Sequence, residues 1–303
     1  MKRMRRILFV GLCFLSSLTG AFAQEVLLGT TGGVGTTLYR INPNTGGAAA
    51  IGSLVDGSGH FYSVTGLAFD NVTGILYGST SNRSATASNS LVAINPLTGR
   101  VIFIGSFVTS NGTMADLTFD TTTATLYGTG SVDGNLYSIN MATGAATAVG
   151  SAGFPPNSTS GLGVAANSAG QIFGAPTGAS GQLVQYNKTD GSITNVATLS
   201  GAPFSSGAIA AMAFNSGGTL YGLNQSTSGS RPVDLVTIDT VTGAVTDIGA
   251  TASLMDAIVF ITPVPEPTTI GMMFLGSGCL AALTVLRRRR RGLPDNRDSP
   301  PLP

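Results

Sequence analysis

The sequence predicts an all-β fold, a five-bladed β-propeller, on three observations. A hairpin motif recurs five times, and a second strand pair precedes four of those hairpins. The first and last strand patterns of the repeat region are two parts of a single unit. Four short strands in a period of about 45 residues is the signature of a propeller blade.

The hairpin reads "LYRINPNTGGAAAIG" from Leu38 and returns as "LVAINPLTGRVIFIG" from Leu91 and "LYSINMATGAATAVG" from Leu136. It returns again as "LVQYNKTDGSITNVA" from Leu183 and "LVTIDTVTGAVTDIG" from Leu235. Alternate residues such as Tyr39 and Ile41, or Val92 and Ile94, share one face of a strand. Asn or Asp then opens a turn through its side chain, and Pro43 and Pro96 preset φ. Gly46, Gly99, Gly144, Gly191 and Gly243 supply the left-handed residue that a short hairpin loop needs.

The preceding pair reads "GLAFDNVTGILYG" from Gly66, "DLTFDTTTATLYG" from Asp116, "GLGVAANSAGQIFG" from Gly161 and "AMAFNSGGTLYG" from Ala211. Each unit therefore has strands A to D, and the turn glycines lie 53, 45, 47 and 52 residues apart. The first hairpin has a strand B, "VLLGT" from Val26, and no strand A; the last is followed by a lone strand A, "DAIVF" from Asp256. The two fragments complete one blade, so the expectation is a disc closed by its own N- and C-terminal strands. An open β-solenoid or a sandwich is the alternative.

Two flanking segments read as addresses. Residues 1–23 are a basic start, an apolar run and "AFA", the pattern of a signal peptide cut between Ala23 and Gln24. An uncleaved anchor is the alternative. The repeat domain spans 24–261, and 262–267, "TPVPEP", is a proline-rich linker. Residues 268–286 carry no charge and would span about 28 Å as a helix, against a hydrocarbon core of about 30 Å. One transmembrane helix is expected there, followed by a basic cytoplasmic tail, 287–303. Arg287, Arg288, Arg289, Arg290 and Arg291 fix the topology, because such clusters stay on the cytoplasmic side.

Pro265-Glu266-Pro267, an oily run and an arginine block, in that order, resemble the PEP-CTERM sorting signal of bacterial surface proteins. The resemblance implies recognition by a membrane cysteine transpeptidase, an exosortase, with removal of the tail. It also implies a Gram-negative host that makes exopolysaccharide. The likeness covers about the last tenth of the chain, and "GLPDNRDSPPLP" after the arginines departs from it. The expected course is export across the inner membrane, C-terminal anchoring, then the outer surface or extracellular matrix.

Composition narrows the function. From Gln24 to Ile261 five basic residues face eleven acidic ones, a net charge of −6. Nucleic-acid binding needs the opposite balance. Both cysteines, Cys13 and Cys279, lie in the flanking segments, so the repeat region has neither a disulfide nor a thiolate zinc site. No cofactor motif is present: "GTTGGVG" at Gly29–Gly35 lacks the following helix that phosphate binding requires.

Strands alternate in direction, so the A–B and C–D turns share one face and the variable B–C and D–A loops share the other. Binding usually sits on variable loops of a rigid scaffold. The candidate ligand face is therefore the second, with Asp56, His60, Tyr62, Asp116, Phe154, Phe204 and Asp256. Aromatic faces with carboxylates suit a sugar or a cation. The plainer reading is that the aromatics pack between blades and the acids cap turns. No partner for His60, the single histidine, completes a nucleophile or a metal site. Two functions are carried forward. The first is a non-enzymatic surface or matrix protein that contacts exopolysaccharide or another protein. The second is a secreted lyase or glycoside hydrolase, using His60, Tyr62, Asp116 or Asp256 at the channel mouth, with Asp116 and Asp256 as a carboxylate pair. A calcium-stabilised adhesion module is a third, weaker idea.

Overall fold

The computed structural model describes residues 24–33, 36–108, 112–154, 163–175, 181–201, 208–225 and 233–262. Its strands, in chain order, begin with β1 (Val26–Thr31), β2 (Thr37–Ile41) and β3 (Ala48–Ser53). The next blade is β4 (Val64–Asp70), β5 (Ile75–Thr80), β6 (Ser90–Ile94) and β7 (Val101–Ser106). It is followed by β8 (Met114–Asp120), β9 (Thr125–Gly130), β10 (Leu136–Ile139) and β11 (Ala146–Ala148). Then come β12 (Val164–Ala166), β13 (Ile172–Gly174), β14 (Gln182–Tyr186) and β15 (Ile193–Thr198). The last are β16 (Ala208–Phe214), β17 (Leu220–Gln225), β18 (Val233–Ile238), β19 (Val245–Ala250) and β20 (Met255–Ile261). All pairings are antiparallel, in five four-stranded sheets; β20, β1, β2 and β3 form one of them, with Leu28 opposite Val259.

Two parts of the expected fold need correction. Among the described residues there is no helix, hence none long and apolar enough to cross a membrane. Nor does any sheet close on itself: each is a separate four-stranded unit. The physical reason is that the blades meet mainly through side chains, with only scattered backbone hydrogen bonds between them, such as Val101 N to the Val55 carbonyl and Val245 N to that of Ser200. Five clusters of buried residues among the described ones each bridge two neighbouring blades, as where Leu28 and Leu38 pack against Leu67, Phe69 and Leu76. Period-2 alternation directs this, since Leu67 and Phe69 pack on one neighbouring blade while Ala68 packs on the other. The leader (1–23) and the expected span (268–286) lie outside the described residues.

The five hairpin glycines have φ between 72° and 76°, the left-handed turn that the motif predicts. Asn42, Asn95, Asn140, Asn187 and Asp239 each accept a backbone N–H two residues on. These turns also have a tertiary task that the motif does not announce. A β-bulge at Ile51, Ile104, Val196 and Ile248 turns the end of the outer strand onto the next blade. A Cβ on Gly105 would lie 1.9 Å from the Thr143 carbonyl oxygen, and one on Gly144 would lie 2.3 Å from that of Gly105. Equivalent pairs are Gly52 with Gly99, Gly150 with Gly191, and Gly249 with Gly46; Ala197 stands in the fifth, against Gly243. The rim is thus a chain of backbone contacts between blades.

Asp120, at the end of β8, joins blades by charge. Its buried carboxylate accepts from the Thr122 and Thr123 hydroxyls and from Lys188 Nζ at 2.7 Å. Burial resists its ionisation, but these donors prevail and lower its pKa to about 2. A carboxylate depressed in the folded state contributes stability above its unfolded value, and that stability is lost as pH falls through the folded one. The loss therefore falls between 3.8 and about 2 and amounts to roughly 2 kcal/mol. Lys188→Met is expected to shrink that acid-limb loss, which thermal melts from pH 6 down to pH 2 would read.

Candidate functional site

The inner strands β4, β8, β12, β16 and β20 surround the axis, and the register aligns them. Leu67, Leu117, Val164, Met212 and Ile258 all lie opposite a glycine of the following or paired strand B. In this structural register the residues just before them are Gly66, Asp116, Gly163, Ala211 and Ala257. Only Asp116 breaks this ring of small residues, and its exposure is 0%. One oxygen accepts from its own neighbour Leu117 N at 2.9 Å. The other accepts from Val164 N at 3.0 Å and Met212 N at 3.2 Å, on the next two inner strands. Burial pushes its pKa well above the ordinary carboxylate value, against the amides of Val164, Leu117, Met212 and Leu67, which act to lower it. Asp116 is a hub that ties inner strands together, and it offers no atom to a ligand.

A cavity opens at each end of the axis. On the A–B side a cavity of about 310 Å³ is walled by Phe69, Phe119, Phe214 and Phe260 and rimmed by Asn71, Asn167, Asn215 and Ser216. On the B–C/D–A side a vestibule of about 770 Å³ is lined by hydroxyls (Ser63, Thr65, Ser81, Thr113, Ser131), amides (Asn82, Gln225) and two charges, Arg83 and Asp256. Asp256, at the start of β20, accepts from Gln225 Nε2 at 3.2 Å. The hydroxyls arise because strand B ends, and strand A starts, at this mouth. Others in equivalent places are spent between blades: Thr30 donates to the Val64 carbonyl and Ser79 to that of Met114. The Thr65 hydroxyl oxygen is buried without a partner among the described residues.

The remaining sequence candidates fall elsewhere. Asp56, His60 and Tyr62 do meet, in the loop between β3 and β4. Asp56 accepts from Ser58 N and His60 N, lies 3.1 Å from His60 Nδ1, and receives the Tyr62 hydroxyl at 3.3 Å. The backbone N–H of His60 is the chief cause holding the Asp56 carboxyl down at about 2. Tyr62 is buried and His60 exposed, so the carboxylate organises its own loop. Phe154 packs among Tyr127, Leu136 and Val164 between two blades. Phe204 lies outside the described residues. Of His60, Tyr62, Asp116 and Asp256, only Asp256 lines the vestibule. Among the described residues no three His, Cys, Asp or Glu side chains gather as a metal site would need. The hydroxyl ring and the phenylalanine-walled mouth were not among the sequence candidates; Ser81 and Ser131, each three residues beyond a strand-B glycine, were the available signal for the first.

Comparison with known proteins adds a motif and a likeness of fold. Residues 263–291 match the PEP-CTERM protein-sorting motif. The chain resembles one in the crystal structure of a nidogen/laminin complex, at 12% identity and a TM-score of 0.52, over 80% of this chain and 100% of that one. It is also similar, with a TM-score of 0.47 and 16% identity, to a protein of unknown function from Bacteroides thetaiotaomicron, over 65% of this chain and 53% of that one. No curated protein matches. The likeness to the chain of the nidogen/laminin complex is one of fold.

Proposed function

We propose that this chain, a five-bladed propeller bearing a PEP-CTERM sorting motif, is exported, sorted by an exosortase and used at the cell surface or in the matrix to bind polysaccharide without cleaving it. The observation that carries the binding role is the polar vestibule. Hydroxyls and amides there match the alternating donors and acceptors of sugar hydroxyls. Arg83, exposed at the rim, suits the carboxylate of an acidic sugar through its fork of N–H groups. The scattering of the four catalytic candidates weighs against the hydrolase or lyase reading. The fold shared with a chain of the nidogen/laminin complex agrees with a contact role.

The test is retention of the purified protein on immobilised acidic and neutral polysaccharides, with the polymer sized afterwards. Retention with unchanged polymer length is expected. Arg83→Met and Asp256→Asn are each expected to weaken binding about tenfold, the equivalent of roughly 1.4 kcal/mol. Shortening of the polymer would establish an enzyme instead, and retention unaffected by either substitution would move the site away from the vestibule.

A further inference from the structure

Both ends of the propeller leave it at one mouth. Val26 pairs with Ile261, so β1 starts where β20 stops. Glu25 and Thr262, one residue further out on each strand, both line the A–B cavity, whose rim also includes A–B turn residues of the other four blades. Glu25 is clasped there, its carboxylate accepting from Ser216 N at 3.0 Å and Ser216 Oγ at 3.1 Å. The sorting match begins at residue 263, directly after Thr262. A chain advances at most about 3.6 Å per residue. Pro265 therefore lies within roughly 11 Å of Thr262, and the uncharged segment from Thr268 begins within roughly 22 Å of it.

We infer that the A–B mouth is the surface the tail-bearing protein turns to the membrane that holds its tail, and that the polar vestibule at the opposite mouth faces away. The partner of this surface is a layer of lipid headgroups. Its chemistry suits that neighbour. The turn tips on this side carry Val72, Leu97 and Val241, exposed by 77%, 73% and 81%. The acids that end the inner strands here, Asp70 and Asp120, are buried, and Asp120 is paired with Lys188. Glu25, held by Ser216 at the mouth, and Asp190 and Asp239, on outer hairpins at the rim, remain. Two consequences follow. The vestibule stays open to ligand before the tail is removed, and an enzyme that reads Pro265-Glu266-Pro267 works in the narrow gap beneath the disc.

The experiment uses the full chain in vesicles whose headgroups carry nitroxide quenchers, in a Cys13→Ser, Cys279→Ser background. A fluorophore is placed at Val72→Cys or at Ser58→Cys, which lies on the opposite loops. Emission from Val72→Cys is expected to fall by about half or more, as a reach of roughly 22 Å requires, and emission from Ser58→Cys to stay unchanged. Inserting thirty Gly/Ser residues between Thr262 and Pro263 gives a link of roughly 30 Å r.m.s. and is expected to restore the Val72→Cys emission. Equal quenching at both sites, stronger quenching at Ser58→Cys, or none at either overturns the inference. Quenching at Val72→Cys that survives the long linker overturns it too, because the tail would then not be what holds this face down.

Discussion

Asp116→Ala is expected to cost the propeller about 3–5 kcal/mol, the larger of the two main effects. Two opposing terms decide this. A buried carboxyl is itself expensive, and the raised pKa of Asp116 records that expense. Against it stand the amides of Leu117, Val164 and Met212, which converge on the two oxygens inside a fully buried site. Each buried N–H left without an acceptor costs about 1–3 kcal/mol, so three of them outweigh the relief of removing the acid. Asp116→Asn keeps one acceptor but turns an NH₂ toward donors, and is expected to recover less than half of the loss. The pH dependence separates this hub from a simple packing residue. A carboxyl whose folded pKa is raised favours the fold most when protonated. Its contribution is complete below the unfolded value of 3.8 and is lost as pH rises through the folded value. The decline in wild-type stability over that window should be absent from Asp116→Ala. Thermal unfolding across pH 4 to 9 checks both points; a variant as stable as wild type at every pH would remove the hub.

Gly144→Ala is expected to destabilise by about 3 kcal/mol or more, although the site is a surface turn where a methyl usually passes unnoticed. Its φ of 75° strains any L side chain, by roughly 1–2 kcal/mol. The new Cβ would also stand 2.3 Å from the Gly105 carbonyl oxygen, which is backbone and has no rotamer to yield. Two blades would have to part at the rim. The natural control lies on the strand side of the contact: Ala197 stands where Gly105 stands here, facing Gly243, the counterpart of Gly144. Ala197→Gly is expected to cost no more than about 1 kcal/mol, the conformational freedom of glycine alone. Urea unfolding with an unchanged slope measures both, and a loss under 1 kcal/mol for Gly144→Ala would make the rim contact incidental.

The hairpins and their turns belong to the part of the fold that is written locally, whereas the pairing of Leu28 with Val259 joins strands 231 residues apart and was legible only because the two ends of the repeat region each lack what the other supplies. Strand alternation, an Asn or Asp that bonds two residues on, and a glycine with positive φ are all short-range devices, and their spacing is visible along the chain. The charge at Asp116 was visible as well, opening a repeat where Gly66, Gly161 and Ala211 open theirs, with Asp256 opening the last strand A in the same way. Its role was not, because the amides it holds come from residues 48 and 96 positions away. The aromatics chosen for the ligand face illustrate the same limit. Tyr62 and Phe154 lie in the expected loops, yet they turn inward, where burying a ring outweighs displaying it.

By itself, then, the sequence determined the all-β repeat and the sorting motif, because each rests on contacts or recognition within a few tens of residues, and the incomplete units at its two ends pointed to five blades. Only the tertiary structure decided that no sheet closes, that blades join through wedges of side chains, a rim of glycines and the two buried carboxyls of Asp116 and Asp120, and that hydroxyls rather than aromatics line the open vestibule. Those outcomes depend on which atoms of distant strands share a volume, and a linear pattern records which face a side chain takes without recording what it meets there.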